Sequence, residues 1–232
     1  MKISVVIPAY NEEKYLPKTL DSISRLDRKP DEVLVIDGGS TDKTCEVAIA
    51  NGARCVTVEH RGIGYARQQG LLNATGNVIA FTDADTTVPN DWLTKIIESL
   101  SKPGVVGVYS EFFVPDGWWP YRFFINFLQP IYIPLLHYLV GISLSPGQNT
   151  AFWRQKALDV GGYPTNFYIA EDLEMARRLR RVGKIVYRFD NFVTSSGRRG
   201  NEGPSLLTRV FKAYWYYFTT KRADKIGFPD IR

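Results

Sequence analysis

The sequence predicts an α/β fold with a mostly parallel sheet and helices on both faces. Two observations predict it: short, unbroken apolar runs recur through the first hundred residues, and a helical pattern follows each. Strands buried on both faces read as continuous apolar runs, and helical crossovers between them give parallel pairing. A third observation concerns organisation. The 232 residues contain no internal repeat and no low-complexity linker, so a single domain is expected.

Taken in order, "ISVVI" (3–7) is the first strand and a helix is expected over 12–24. "EVLVID" (32–37) is the second, with a helix opening after Ser40-Thr41-Asp42. "RCVTV" (54–58) precedes the helical "GYARQQGLLNA", and "NVIAFTD" (77–83) precedes "NDWLTKIIESL". Ligands of such sheets bind beyond the carboxyl ends of the strands. The residues that follow the strands are therefore the candidates: Pro8, Ala9, Tyr10, Asn11 and Glu12, then Asp37 to Asp42, then Thr82, Asp83, Ala84 and Asp85.

Composition narrows the classes. With 44% hydrophobic and 23% charged residues the chain is not of the disordered type. A net charge of +5 suits nucleic acid or an anionic membrane surface. No helix-turn-helix, zinc knuckle or RNP-type strand appears, so nucleic acid is not expected. Much of the excess lies late, in "RRLRRVGK", "SSGRRG" and "FKAYWYYFTTKR". Cys45 and Cys55 have no CxxC spacing and read as free thiols in a reducing compartment. The first apolar run is too short for a signal h-region and lacks a small-residue cleavage site, so a cytoplasmic location is expected. The first turn lacks GxGxxG, and Gly62 and Gly64 have no third glycine, which disfavours nicotinamide and flavin chemistry. His60 and His137 stand without ligand spacing and receive no role.

Asp83 and Asp85 flank one small residue at the end of a buried strand. Two such carboxylates repel unless a cation joins them. A hard divalent ion holding a diphosphate does so with few protein ligands, its shell completed by water and phosphate. The same aspartates also suit the turn before the helix near Asn90. Asp37 can accept from a nucleobase or ribose, or can shape its own turn. Tyr10 can stack on a base, or sit half-buried beside the sheet.

The stretches "VVIPAYNEE", "VIDGGSTDKT", "RGIGYARQQGL" and "IAFTDAD", in this order and spacing, resemble the family 2 glycosyltransferases of the Rossmann-like GT-A fold. "GQNTAFWRQKALDVGGYP" and "AEDLEMARRLRRVGK" look like that family's acceptor-side strand and catalytic helix, extending the resemblance over about residues 1–200. The resemblance implies a nucleotide-diphosphate-sugar donor, a divalent metal (Mg²⁺ or Mn²⁺) and inversion at the anomeric carbon. By position it places Pro8, Ala9, Tyr10, Glu12, Asp37, Arg67, Asp83 and Ala84 in the nucleotide pocket. Asp85 becomes the main metal ligand, with Asp83 beside it, and Asp172 of Glu171-Asp172 becomes the base. Gln148, Asn149, Glu171, Arg198 and Arg199 are candidates for diphosphate or acceptor contacts. Many members carry two adjacent acids after the second strand, whereas Gly38 stands here, so UDP and GDP both stay open. The helix at 171 also reads as one complementing its own dipole, acids first and bases last. Arg198 and Arg199 suit a solvated or lipid-facing position as well as a diphosphate clamp.

The stretch "RFFINFLQPIYIPLLHYLVGISLS" (122–145) carries no charge after Arg122. Asn126, Gln129 and His137 fall on one narrow side of a helix, and Pro130 and Pro134 predict two broken pieces. Trp118, Trp119, Tyr121, Tyr132 and Tyr138 are types enriched at membrane boundaries. Peripheral membrane contact, burial against the sheet or a dimer partner, and a true span are the three readings. The chain then divides into a donor half (1–113), this apolar segment (114–145), an acceptor part (146–200) and a basic aromatic helix (201–232). The leading expectation is metal-dependent transfer to a lipid-linked, glycan or membrane-proximal acceptor at the cytoplasmic face. The alternatives are a polyprenyl-phosphate glycosyl transferase and a non-catalytic nucleotide-sugar or lipid-binding scaffold. The sequence assigns no oligomeric state.

Overall fold

The structure, a computed structural model, describes residues 1–59 and 62–224. Its first half alternates as expected: β1 (Ile3–Ala9), α1 (Leu16–Ser24), β2 (Glu32–Asp37), α2 (Thr44–Ala50), β3 (Arg54–Thr57), α3 (Ile63–Asn73), β4 (Val78–Phe81), β5 (Thr86–Thr87) and α4 (Trp92–Leu100). The second half adds β6 (Val105–Tyr109), β7 (Phe112–Phe113), α5 (Trp119–Phe123), α6 (Gln129–Leu135), β8 (Thr150–Trp153), α7 (Arg154–Asp159), α8 (Glu171–Leu179), β9 (Lys184–Tyr187), β10 (Val193–Ser195) and α9 (Pro204–Thr220).

Seven strands form one sheet in the order β3-β2-β1-β4-β8-β6-β9. Only β8 runs against its neighbours, pairing antiparallel to both β4 and β6. Side chains alternate across each strand. Thus Ile3, Val5 and Ile7 meet α1, α2 and α4 through Leu16, Leu20, Ala48 and Ile96, while Val6, Leu34 and Phe81 meet α3, α7 and α8 through Leu71, Ala157 and Met175. Helices therefore cover both faces. A second sheet, β5-β10-β7, pairs Ser195 with Thr86 and so brings the segment after β10 beside the end of β4.

Three expectations are corrected. The helix after β1 begins at Leu16, not Glu12. Asn11 takes a left-handed turn (φ 54°), and Pro17, which suits a first turn, opens the helix. Cys45 and Cys55 are not free thiols: α2 and β3 bring their Cα atoms to 5.7 Å and the two form a disulfide. With both thiols bonded, the two cysteines do not point to a reducing compartment.

The apolar segment is the third correction. It is one 22-residue helix, Trp119–Val140, rather than two pieces. Pro130 stands inside this helix, directly after its first wide turn. Wide π-helical turns at Phe124–Leu128 and Leu136–Val140 shift the hydrogen-bond register around Pro130 and Pro134. The polar side faces the protein. Asn126 grips Val114 with two hydrogen bonds of 2.9 Å, and Gln129 and His137 are buried with Ile125 and Ile133. The opposite side presents Trp119, Phe123, Phe127, Ile131, Leu135 and Leu139, spaced by four and 49–77% exposed. Among the described residues this helix alone is long and apolar enough to cross a membrane, by length and composition.

The C-terminal helix α9 covers 204–220 of the expected 201–232. Its Ala213 and Tyr217 pack on Phe167, Ile169 and Leu173, while Phe211, Trp215 and Phe218 face outward.

Candidate active site

The ends of β1, β2 and β4 lie on one edge, since Ala9 pairs with Asp37 and Val6 with Phe81 in parallel register. Pro8 and Ala9 are buried strand residues; Tyr10, just beyond, is half-buried. Two loops are clasped there. Ser40 Oγ accepts from Asn11 N (2.8 Å), and Asn11 Oδ1 accepts from Thr41 N (2.8 Å). Asp37 shapes its own turn: its carboxylate accepts from Ser40 N (3.1 Å), from the Ser40 hydroxyl and from Thr57 Oγ1 (3.4 Å). A Cβ on Gly38 would meet nothing nearer than 3.6 Å, so the glycine there removes an acid without relieving a clash.

Ala84 is small for a reason. It is 3% exposed in the core under α1, and its carbonyl accepts from Thr19 Oγ1 at 2.8 Å. The flanking aspartates diverge, each toward its own arginine. Asp83 Oδ1 lies 3.1 Å from Arg67 Nη2, and Asp85 Oδ2 lies 3.0 Å from Arg198 Nε. Burial pushes Asp85 up to about 6; Asp83 and Glu12 push the same way and Arg198 opposes them. Arg198 also donates to Glu12 Oε1 at 2.5 Å and lies over the Tyr15 ring. Glu12, 2% exposed, is thus the buried anchor of Arg198. Arg199 acts on Asp85 with the same sign as Arg198. Arg198 thus meets the second aspartate directly while Arg199 acts on it electrostatically, and the segment is held there by Ser196 N donating to the Asp85 carbonyl at 3.2 Å.

Arg67 is the hub. It is 2% exposed on α3 and lies over the Phe81 ring, and it donates to Asp83, to Glu171 Oε1 (3.2 Å) and to the Gly147 carbonyl (2.6 Å). Burial alone would lower its pKa, but Asp83 and Glu171 together raise it, so it stays charged. Gly147 must be a glycine, since a Cβ there would sit 2.2 Å from Arg67 Nη2.

Glu171 and Asp172 open α8 directly after Ala170, a non-glycine residue held left-handed at φ 61°. Such strain gathers at functional sites. The two acids differ. Glu171 is buried and tied to Arg67, yet burial and then Asp172 push it up to about 7. Asp172 is half-buried and makes no ion pair among the described residues; its Oδ1 accepts from Leu173 N at 2.7 Å, and burial raises it. Behind it lies a cavity of about 10 Å³, lined in part by Ser145 and Tyr163, whose buried hydroxyls have no hydrogen-bond partner among the described residues. That volume fits about one water molecule.

The donor set suits a hard divalent cation held by one or two carboxylates and completed by a diphosphate. Among the described residues no three His, Cys, Asp or Glu side chains gather as a closed metal site. Asn149, a candidate for diphosphate or acceptor contact, is buried and tied into the scaffold. Its amide donates to the Glu111 and Asn191 carbonyls (2.8 Å each) and accepts from Trp92 Nε1 (2.9 Å). Gln148 is half-buried in the turn beside Gly147. His60 lies outside the described residues. His137 is structural, its Nδ1 shared between Tyr109 (3.1 Å) and Ser143 (3.0 Å). Sequence reasoning missed Tyr15, Ser145, Gly147 and Tyr163. The last three sit inside quoted stretches, but nothing local marks them as lining a site.

Residues 4–161 match the family described as glycosyl transferase family 2. The chain belongs to that family. It is similar to the glycosyltransferase AglE of Haloferax volcanii, 29% identical over 78% of this chain and 62% of the relative. The glucosyl-dolichyl phosphate glucuronosyltransferase of the same organism is 30% identical over 72% of this chain and 57% of the relative. GlyA of Streptococcus pneumoniae is 35% identical over 47% of this chain and 17% of its own. The chain thus spans less than two thirds of these relatives. Among solved structures, the mannosyltransferase PcManGT of Pyrobaculum calidifontis, with GDP-Man and Mn²⁺, superposes with a TM-score of 0.68 at 26% identity, covering 91% of this chain and 61% of that one. Glucosyl-3-phosphoglycerate synthase of Mycobacterium tuberculosis, with Mn²⁺, UDP and phosphoglyceric acid, gives 0.66 at 26%, over 93% and 77%. The fold is the GT-A fold.

Proposed function

We propose that this chain is a divalent-metal-dependent, inverting glycosyltransferase that moves a sugar from a UDP- or GDP-sugar to a lipid-linked or membrane-proximal acceptor. The carrying observation is the pair of poles on one sheet edge, joined by buried Arg67. One pole is Asp83, Asp85 and Arg198; the other is Asp172.

Asp85, with Asp83, would hold the ion, which when bound supplies Lewis-acid stabilisation of the departing diphosphate. The chain's own residues do the rest. Arg198 is placed to turn from Asp85 and Glu12 to the diphosphate oxygens as charge develops there, with Arg199 next to it in the chain. Asp172, which makes no ion pair among the described residues, is placed to take the acceptor's proton. Glu171 and Arg67 fix the start of α8, and so the aim of Asp172.

Two outward apolar ladders, on Trp119–Val140 and on α9, support a peripheral seat on a membrane, which we propose is the cytoplasmic face. A relative named for glucosyl-dolichyl phosphate, together with those ladders, favours a lipid-linked acceptor. If the acceptor is a polyprenyl phosphate it is already anionic and needs no base. The test is Asp172→Asn, assayed for transfer with nucleotide-dependent thermal shift as a donor-binding control. Abolished transfer with intact donor binding supports a hydroxyl acceptor, and retained transfer moves the reading to a phosphate acceptor. If neither Mg²⁺ nor Mn²⁺ with UDP or GDP shifts the melting temperature of the unaltered protein, the enzyme reading fails.

A further inference from the structure

The far end of the apolar helix carries a second cavity, which the transfer reaction does not use. It has a volume of about 290 Å³ and lies between the last turn of that helix and the segment joining α8 to β9. Arg180, Lys184, Tyr138 and His137 line it, with the backbone of Gly183, and no acidic side chain does.

Among the described residues nothing neutralises the charge there. The basic run "RRLRRVGK" divides into two groups. Arg177 and Arg178 are spent on Glu174, at 2.7 and 2.8 Å, and with Tyr217 they hold its carboxyl near 2 against the upward pull of burial. Arg180, Arg181 and Lys184 are exposed and form no ion pair among the described residues. Arg180 is steadied from one side only, its Nη1 donating to Ser143 Oγ at 2.8 Å. His137 adds no charge. Burial and then Arg180 push it down to about 4, so it is neutral at ordinary pH.

The rim of this cationic cavity is apolar. Tyr138, Leu139 and Val140 are 60–77% exposed beside it, and Tyr138 stacks on Phe189, itself 58% exposed. Cations abutting an exposed apolar ladder complement one chemistry: a phosphate carrying acyl chains. A soluble anion would leave the ladder in water, and an apolar partner alone would leave the cations unmatched.

We propose that this cavity binds the headgroup of an anionic phospholipid, its phosphate held by Arg180 and Lys184 and its chains lying along the Leu135–Leu139 side of the helix. The lipid held here is not the reacting one. Helix α8 separates Arg180 from Asp172 by eight residues, about 12 Å at 1.5 Å per residue. The site thus anchors the enzyme by a lipid of the surrounding bilayer. The inference rests on the membrane-surface reading above, and deepens it by naming the lipid class and its seat.

The test is co-sedimentation of the whole chain with phosphatidylcholine vesicles and with equimolar phosphatidylcholine–phosphatidylglycerol vesicles. The Arg180→Gln/Lys184→Gln double variant is compared with a Lys102→Gln/Lys156→Gln control that removes the same charge from other exposed positions. Removing two cations at an anionic surface should weaken binding to the phosphatidylglycerol vesicles on the order of 30-fold. The control should lose severalfold less, and the nucleotide-dependent thermal shift should be unchanged in both variants. Equal losses in the two variants would replace a built site by diffuse charge and overturn the proposal. Binding by Arg180→Gln/Lys184→Gln as strong as the unaltered protein's would overturn the headgroup site and leave the membrane seat standing. Failure of the unaltered protein to bind either vesicle would overturn both.

Discussion

Replacing Arg67 by methionine tests the hub directly. The guanidinium is 3% exposed and Glu171 beside it 7%, so the change strands a buried acid that already faces Asp172. Removing one partner of a buried pair costs about 3–5 kcal/mol. For a chain of this size each kcal/mol moves the melting temperature by about 2–4 °C, so a fall of roughly 6–20 °C is expected. The loss should depend on pH. Without Arg67, the folded-state pKa of Glu171 rises further above its ordinary value. A carboxyl with a raised folded pKa keeps its contribution at low pH and loses it as pH climbs through that value. The drop should therefore be larger at about pH 8 than at about pH 5. Calorimetry at both pH values reads it, and Glu171→Gln on top of Arg67→Met should recover part of the loss. A fall of less than about 2 °C, or an equal fall at both pH values, would refute the view that Arg67 chiefly compensates buried acids.

Glu111 is 0% exposed and burial pushes it up to about 8. Its raised folded pKa means stability lost as pH rises toward that value, so Glu111→Gln should melt higher than the parent at about pH 9 and close to it at about pH 5. Gly147→Ala places a Cβ 2.2 Å from Arg67 Nη2. It should cost about 1–3 kcal/mol in denaturant unfolding and weaken the nucleotide-dependent thermal shift; an unaffected shift would show that Arg67 can move without cost to the donor site. The Cys45–Cys55 bridge closes a loop of sequence separation 10, so Cys45→Ser should lose about 2–3 kcal/mol without reductant and nothing relative to the parent with it.

The sheet edge was legible because each strand is an unbroken apolar run and its end carries turn chemistry. Asp83 and Asp85 could be read for the same reason, whereas Glu171 and Asp172, which open a helix, came from the resemblance. Their counter-ions could not: Arg67 lies 104 positions from Glu171 and 80 from Gly147, and Arg198 lies 186 from Glu12. No local pattern encodes contacts closed by the whole sheet. Asn149 was a candidate through the resemblance, and only the fold shows its amide N–H groups on two backbone carbonyls and its oxygen on Trp92. The prolines misled in the other direction. Local rules break a helix at Pro130 and Pro134, but the register shift of a wide turn, steadied by Asn126 on Val114, keeps one rod.

Helix α9 joins an exposed aromatic face to the packing beside α8. Its outer rings, Phe211 and Trp215, stack at 6.3 Å on the exposed side. On the inner side, Tyr217 donates to Glu174 Oε2 at 2.7 Å, two residues along α8 from Asp172, and Tyr214 lies within the electrostatic reach of Asp172 itself. Less than one helical turn separates Trp215 from Tyr217. A tilt forced on the outer rings therefore acts on the start of α8 as a lever acts on its fulcrum. On the proposed reading, the aim of Asp172 would then follow the surface on which α9 lies.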